Sequence, residues 1–488
     1  MSDDLANTSV MPKRRISRVS KYSYAFGAVA FGLKGVALAQ LMLFYNQVLG
    51  LPASWVSIVI GIALIVDAIV DPVIGQISDT WRSKWGRRHP FMYASAIPAA
   101  LAVWALLNPP RDWAPEALVA YLLACVIAAR VSISLFEIPS SALLPELAHD
   151  YDERTVLSTW RSLVGLVLPI AIVVIAMATL MKPFVNAQGQ SMPGQLNPVG
   201  YANYGVLLAI IIFLSIMVSA MGTHREVKHL SAAVPHASLS ELFSTIRTTL
   251  LDRNFLALSV AGIVAGIGTG LVGGLNEYFN TYFWELSAAQ ISTITGSLLI
   301  SPIAGAITAQ YFARRFGKKR TVMTAYFLAI FFGLLPISLR LLGLLPPNGS
   351  PIIVAILAID STVALALAVI AIILGTSMMA DIVERVQTKT GQRSEGLIFS
   401  ADTMFKQIVT GVGSMGTGVI LTLIAFPEKA VPGQVPADVL HRLAMVYMPI
   451  TLITNCLAIL AISYYSISRE EHESNLTHIA TAANTKAQ

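Results

Sequence analysis

Asp67 and Asp71 stand four residues apart within the stretch Ile65-Val66-Asp67-Ala68-Ile69-Val70-Asp71-Pro72, which follows an apolar run from Trp55. Positions i and i+4 share one face of a helix, so the two carboxylates point into the same small volume. An acid at the centre of a membrane helix costs roughly 3 kcal/mol on insertion scales, and a second like charge on the same face adds to that. Such a pair suits the holding of a cation or a proton between oxygens. The alternatives are a shared proton or a salt bridge to a neighbouring helix.

Further polar groups interrupt other apolar runs. Arg130-Val-Ser-Ile-Ser134-Leu-Phe-Glu137-Ile-Pro139-Ser140 places Ser134 and Glu137 one helical turn apart. The Ser134 hydroxyl can complete an oxygen shell with Asp67 and Asp71. Glu137 is either an acceptor for substrate hydroxyls or the structural partner of an arginine. Arg161 is the obvious candidate for that arginine, since a deep guanidinium needs a carboxylate and offers a planar fork to sugar hydroxyls or an anionic group. Pro139 and Pro145 interrupt the helix nearby, as transporter helices do around substrates. Lys406 either approaches the acidic cluster and competes with the cation or pairs with Asp402 at i, i+4. Lys34 is similarly isolated in the first apolar run, and the sequence gives no firm account of it.

The elements that position these groups follow from hydropathy. Of 488 residues, 55% are hydrophobic and 12% charged, against about 25% charged in soluble proteins. The expected class is an all-α membrane protein. Apolar runs of membrane length fall at about 22–48, 54–79, 91–107, 116–146, 156–181 and 200–221, then at about 254–283, 288–313, 321–343, 351–385, 394–424 and 441–467. That is twelve transmembrane helices in two six-helix halves, 21–222 and 254–468. The halves are joined by a polar connection, 223–253, and flanked by tails 1–20 and 469–488. The first run is too long for a signal segment and lacks a small-residue cleavage site. Cys125 and Cys456 supply neither a disulfide framework nor a metal-ligand spacing.

The net charge of +6 is distributed by connection and is no nucleic-acid footprint. Basic residues gather at alternate connections: Arg82, Lys84, Arg87 and Arg88; Arg225 and Lys228; Arg314, Arg315, Lys318, Lys319 and Arg320; Arg385, Lys389 and Arg393. The positive-inside rule makes both termini and the central connection cytoplasmic. The device after the second run, Gly75, Asp79, Gly86, Arg87 and Arg88, recurs after the eighth as Gly305, Gly317, Lys318, Lys319 and Arg320. A glycine that lets a neighbour approach, then a basic turn, at matched places in both halves marks a parallel-repeat transporter. The segments 182–200 and 427–438, rich in Gly and Pro, are expected to be irregular external loops.

Three segments carry a resemblance across nearly the whole chain. They are Asp67-Ala-Ile-Val-Asp71-Pro72 leading to Gly86-Arg87-Arg88; Glu137-Ile-Pro139 with Pro145-Glu146, Glu153-Arg154-Thr155 and Arg161; and Met379-Ala-Asp381-Ile-Val-Glu384 with Lys389, Gly391, Arg393, Glu395-Gly396 and Lys406. The chain resembles the glycoside–pentoside–hexuronide:cation symporters of the major facilitator superfamily, typified by melibiose permease. The resemblance implies a coupling Na⁺, Li⁺ or H⁺ at Asp67 and Asp71 with Ser134 close by. It implies sugar recognition by Glu137 and Arg161, with Lys406 near the cation. It also implies a departure: sugar-transporting members place an aspartate in the first helix where this chain has Phe31. A lost acceptor weakens recognition of a polyhydroxylated ligand.

The expected function is cation-coupled symport of a sugar or glycoside by alternating access, with an amphiphilic cargo such as a lysolipid as the alternative. No cofactor beyond the coupling ion is expected. The expected partners are the small-molecule substrate, the cation and the bilayer of a bacterial inner membrane, around a monomer. The chain has no Walker-type loop for direct use of ATP. No His or Cys cluster in the spans suggests an enzyme, and no sizeable soluble domain suggests a sensor.

Overall fold

The computed structural model describes residues 16–148, 151–227, 252–390, 395–467 and 471, with the backbone alone at 151–152, 389–390 and 395–401. The expected tails and central connection fall largely outside these residues. So do Lys228, Gly391 and Arg393.

Long helices account for nearly all of the described chain. In the first half they are α1 (Arg18–Val48), α2 (Ala53–Thr80), α3 (His89–Leu107), α4 (Pro115–Leu147), α5 (Tyr151–Thr179) and α6 (Pro198–His224). In the second they are α7 (Arg253–Phe283), α8 (Ala288–Phe316), α9 (Lys318–Leu341), α10 (Pro351–Thr390), α11 (Glu395–Leu423) and α12 (Ala437–Ser463). Among the described residues, eleven helices are long and apolar enough to cross a membrane, and α11 is a further helix of 29 residues. Most expected bounds fall within a few residues of the observed ones. The largest differences are at the start of α5, Tyr151 where 156 was expected, and at the end of α10, Thr390 where 385 was expected.

Two local geometries recur in both halves. The first helix of each half ends in a π-helical turn, Phe44–Val48 in α1 and Phe279–Phe283 in α7. Each turn is closed by the same six-residue hydrogen bond, Leu51 N to the Tyr45 carbonyl and Leu286 N to the Asn280 carbonyl, both 2.9 Å. The basic turns also match. Gly86 and Gly317 adopt φ of +82° and +83°, the left-handed region that a β-carbon disfavours. Gly75 is different from its expected role: a β-carbon there would meet only Ile138 at 3.5 Å, an ordinary contact. Its counterpart Gly305 lies under the Ala366 carbonyl, 2.8 Å from that β-carbon position, so close approach operates in the second half alone.

The basic turns are clamped to helix ends within each half. Arg88 bonds Asp79 (2.9 Å) and the Ala142 carbonyl, and Arg87 and Arg88 both pair with Glu146. In the second half Lys318 bonds both oxygens of Asp381 at 2.7 and 2.8 Å. The segment 182–200, expected to be irregular, instead forms a two-stranded hairpin, β1 (Phe184–Val185) with β2 (Ser191–Met192). Asn186 accounts for it, because its side-chain oxygen accepts from the backbone N–H of Gln188 and Gln190, while Gly189 takes φ +76°.

The halves meet through α2 against α11 and α5 against α8. Glycines let the backbones close: β-carbons at Gly61, Gly411 and Gly418 would lie 2.6, 2.8 and 2.3 Å from carbonyl oxygens of the facing helix. At the end of the bundle remote from the basic turns a buried polar seal joins the halves. Tyr278 donates to Asn46 (2.6 Å), Tyr282 and Ala430 N donate to Gln47 (3.0 and 2.9 Å), and Gln47 donates to the Pro427 carbonyl (3.1 Å).

Gly86→Ala should lower stability by about 1–2 kcal/mol through its left-handed backbone. Gly75→Ala should leave stability within about 0.5 kcal/mol of the original. Thermal unfolding midpoints of the purified variants check both; equal losses would contradict the assignment.

Candidate functional site

Asp67 lies midway along α2 and is fully buried. Its partners come from three other helices. Arg130 of α4 donates to Oδ2 at 2.7 Å, and Gln407 of α11 donates to the same oxygen at 2.9 Å. Ser134 of α4 donates to Oδ1 at 3.1 Å. The Lys34 ammonium of α1 stands 3.2 Å from Oδ1 and 3.0 Å from Oδ2. A carboxylate has about four acceptor sites, and here all are engaged. The α1 and α4 donors belong to one half and Gln407 to the other, so this carboxylate is also a link between halves.

Asp71 follows one turn later on the same face. Its Oδ1 is buried and has no hydrogen-bond partner among the described residues. Pro72 comes next and has no N–H to return to the Ala68 carbonyl, so a backbone acceptor beside the acids is released. Glu137 lies one turn from Ser134 and receives Lys34 at 3.4 Å. Lys34 therefore bridges Asp67, Ser134 and Glu137.

The expected Glu137–Arg161 pairing is replaced by another arrangement. Arg161 donates to the Ser140 hydroxyl at 2.9 Å and stacks over Tyr24 at 4.6 Å and Phe31 at 5.3 Å. Lys34 has taken the carboxylate, and two aromatic faces from α1 stabilise the guanidinium in its place. Arg161 Nη1 is buried without a partner among the described residues. Lys406 pairs with Asp402 at 2.5 Å and is not brought to the acidic cluster. Its neighbour Gln407 makes that approach. Ser134, Glu137, Asp67 and Asp71 are thus brought together, Arg161 lies one turn of α4 away, and Lys406 stands apart. Gly86, Asp79, Arg87 and Arg88 form the clamp at the end of α2, remote from the acids.

The groups that sequence reading left unassigned are Lys34, Arg130 and Gln407. A charge count carried the signal: away from their ends, the first six runs contain Asp67, Asp71 and Glu137 against Lys34, Arg130 and Arg161, three of each sign. Which base meets which acid depends on helix rotation, and that was not legible. Gln407, the one side-chain amide of α11, adjoins Lys406, and hydropathy does not fix which of the two faces the acids.

A family model described as "MFS/sugar transport protein" matches residues 23–469. The chain belongs to this family, the glycoside–pentoside–hexuronide branch of the major facilitator superfamily, and is a multi-pass membrane transporter rather than an enzyme. It is a secondary transporter for sugar-like substrates. It is 26% identical over 470 residues to the isoprimeverose transporter of Lactiplantibacillus pentosus, covering 95% of this chain and 91% of that one. It is 23% identical over 445 residues to a putative 2,3-dihydroxypropane-1-sulfonate exporter of Escherichia coli, covering 89% of each. In fold it is similar to the D-xylose–proton symporter, with TM-score 0.61 at 15% identity over 92% of this chain and 96% of that one. It is also similar to the nucleoside transporter NupG, with TM-score 0.59 at 13% identity over 92% and 99%.

Arg130→Met removes one partner of a buried acid and should cost about 3 kcal/mol. Adding Asp67→Asn should recover part of that loss, because the unbalanced charge goes with it. Unfolding of the single and double variants checks this; strictly additive losses would contradict the pairing.

Proposed function

We propose that this chain couples entry of a sugar or glycoside to a cation, with Asp67, Asp71 and Ser134 as the cation site and Glu137 and Arg161 facing the substrate. The observation that carries the reading is the cluster at Asp67. It gathers α1, α2 and α4 of one half and α11 of the other, so a change in its charge state alters the contact between halves. A ligand shifts a two-state equilibrium only through differential interaction with the two states, and a cluster that spans the interface supplies that difference. The unpartnered Asp71 Oδ1 is the acceptor that a cation or proton would satisfy.

The remaining topology follows from charge. With the basic turns on the cytoplasmic side, α11 also spans the membrane and brings the spans to twelve, both termini are cytoplasmic, and the seal at Asn46, Gln47, Tyr278 and Tyr282 closes the outer side. The conformation then faces the cytoplasm, and release of Gln407 from Asp67 belongs to its reversal. The membrane is the bacterial inner membrane, and a monomer suffices because one chain contains both halves. Lys406, held by Asp402, stands aside from the substrate in this conformation.

A second reading keeps the cation and changes the cargo to an amphiphile. It is favoured by Phe31 and Tyr24, which cover the Arg161 guanidinium with aromatic surface where a hydroxyl-binding acid would suit a sugar.

Uptake of labelled isoprimeverose, other glycosides and a lysolipid into cells expressing the chain, under imposed proton or sodium gradients, tests the two readings. Gradient-driven accumulation of a glycoside, abolished by Asp71→Asn with sugar exchange retained, is the expected result. Glu137→Gln should raise the sugar concentration for half-maximal uptake about tenfold or more, the cost of a lost charged hydrogen bond. Lysolipid uptake alone would favour the second reading. A correctly inserted protein that moves no panel member would contradict both.

A further inference from the structure

The Lys34 ammonium occupies the position a coupling metal ion would need. It lies within 3.4 Å of four oxygens, the two of Asp67, the Ser134 hydroxyl and Glu137 Oε2. Two of the three residues proposed above to surround a cation, Asp67 and Ser134, supply three of those oxygens.

The ammonium is held there by the backbone that carries it. α1 is seated against α6 and α5 at its glycines: a β-carbon at Gly27 would fall 2.5 Å from the Ser219 hydroxyl, and one at Gly32 would fall 2.2 Å from the Gly165 carbonyl. The lysine side chain therefore starts from a fixed point, and its end is buried to 11% exposure. A second unit charge about 4 Å from the ammonium is disfavoured roughly a thousandfold at the effective dielectric of a protein. Arg130 adds a further positive charge on Asp67 Oδ2. As the residues stand, the oxygens do not suit an alkali cation.

Removal of Lys34 reverses that balance. Asp67, Asp71 and Glu137 would then face Arg130 and Arg161 alone, leaving one net negative charge. The vacated volume would be lined by carboxylate and hydroxyl oxygens, the ligand type that hard cations take. Asp71 follows one turn after Asp67 on the same face, and its Oδ1 is buried with no partner among the described residues.

We propose that Lys34 is a tethered cation that fills the coupling site and makes the native chain insensitive to Na⁺ and Li⁺. Lys34 is on this account a residue that determines ion specificity. The assignment rests on the reading of Asp67, Asp71 and Ser134 as the cation site.

The test is calorimetric titration of the purified full-length chain with NaCl and LiCl, against choline chloride, for the native protein, Lys34→Met, Lys34→Gln and Lys34→Arg. The native chain and Lys34→Arg should show no saturable Na⁺ or Li⁺ binding. Lys34→Met or Lys34→Gln should bind Na⁺ at least about a hundredfold more tightly than the native chain, and Asp71→Asn in the same background should abolish it. Saturable Na⁺ binding by the native chain overturns the assignment. So does the absence of Na⁺ binding in both neutral variants when their unfolding midpoints and elution profiles match the native protein. Binding is read without sugar, so a failure of gradient-driven uptake overturns the symport reading and leaves this one standing.

Discussion

A carboxylate buried at the midpoint of a membrane helix must be neutralised by something, and the packing around Asp67 answers that requirement. Lys34 and Arg130 supply positive charge, while Ser134 and Gln407 fill the remaining acceptor directions. The donors come from α1, α4 and α11, so the positions of three helices relative to α2 are fixed by one side chain. Breaking a buried pair costs far more than a surface pair, and that asymmetry makes the cluster an organising constraint. Function enters through the same asymmetry, because anything that changes the charge on Asp67 or Asp71 changes which helix contacts are worth keeping.

The interface between halves combines two materials. Along α2 and α11 the helices close by backbone contact at Gly61, Gly411 and Gly418, which is the close packing available where lipid removes the hydrophobic drive for association. At the end remote from the basic turns, Asn46 and Gln47 accept hydrogen bonds from Tyr278 and Tyr282. These neutral bonds contribute modestly each, of order 1 kcal/mol, so the seal is strong in aggregate and separable in steps. A transporter needs an interface of that kind, since its halves must part and rejoin.

Much of this organisation was legible in the chain. The apolar runs gave the helices to within a few residues, because a membrane leaves helical hydrogen bonding as the only solution for such segments. Gly86 and Gly317 were marked by the basic turns that follow them, and both adopt the left-handed backbone. The i, i+4 spacing placed Asp67 and Asp71 on one face, and the spacing of Ser134 and Glu137 brought them to the same region. The pairing of charges was less accessible. Arg161 was matched with Glu137 on proximity in the chain, but Lys34, from a helix more than a hundred residues away, holds that acid while Arg161 rests on Ser140 and two aromatic rings. Lys406 and Gln407 differ by one position on α11, a rotation of about 100° that hydropathy does not fix. The hairpin at Phe184–Met192 was missed because its signal is one turn, Asn186 to Gly189, inside an otherwise irregular segment.

The central claim is that transport is driven by a cation acting at the Asp67–Asp71 pair, with the alkali ions excluded by Lys34. The most direct measurement is the pH of a lightly buffered, sodium-free suspension of cells expressing the chain, recorded as isoprimeverose is added. Alkalinisation of the medium in step with sugar entry is expected, unchanged when sodium is supplied and absent in Asp71→Asn. Sugar entry that requires sodium and moves no protons, or that proceeds with no coupled cation at all, would contradict it.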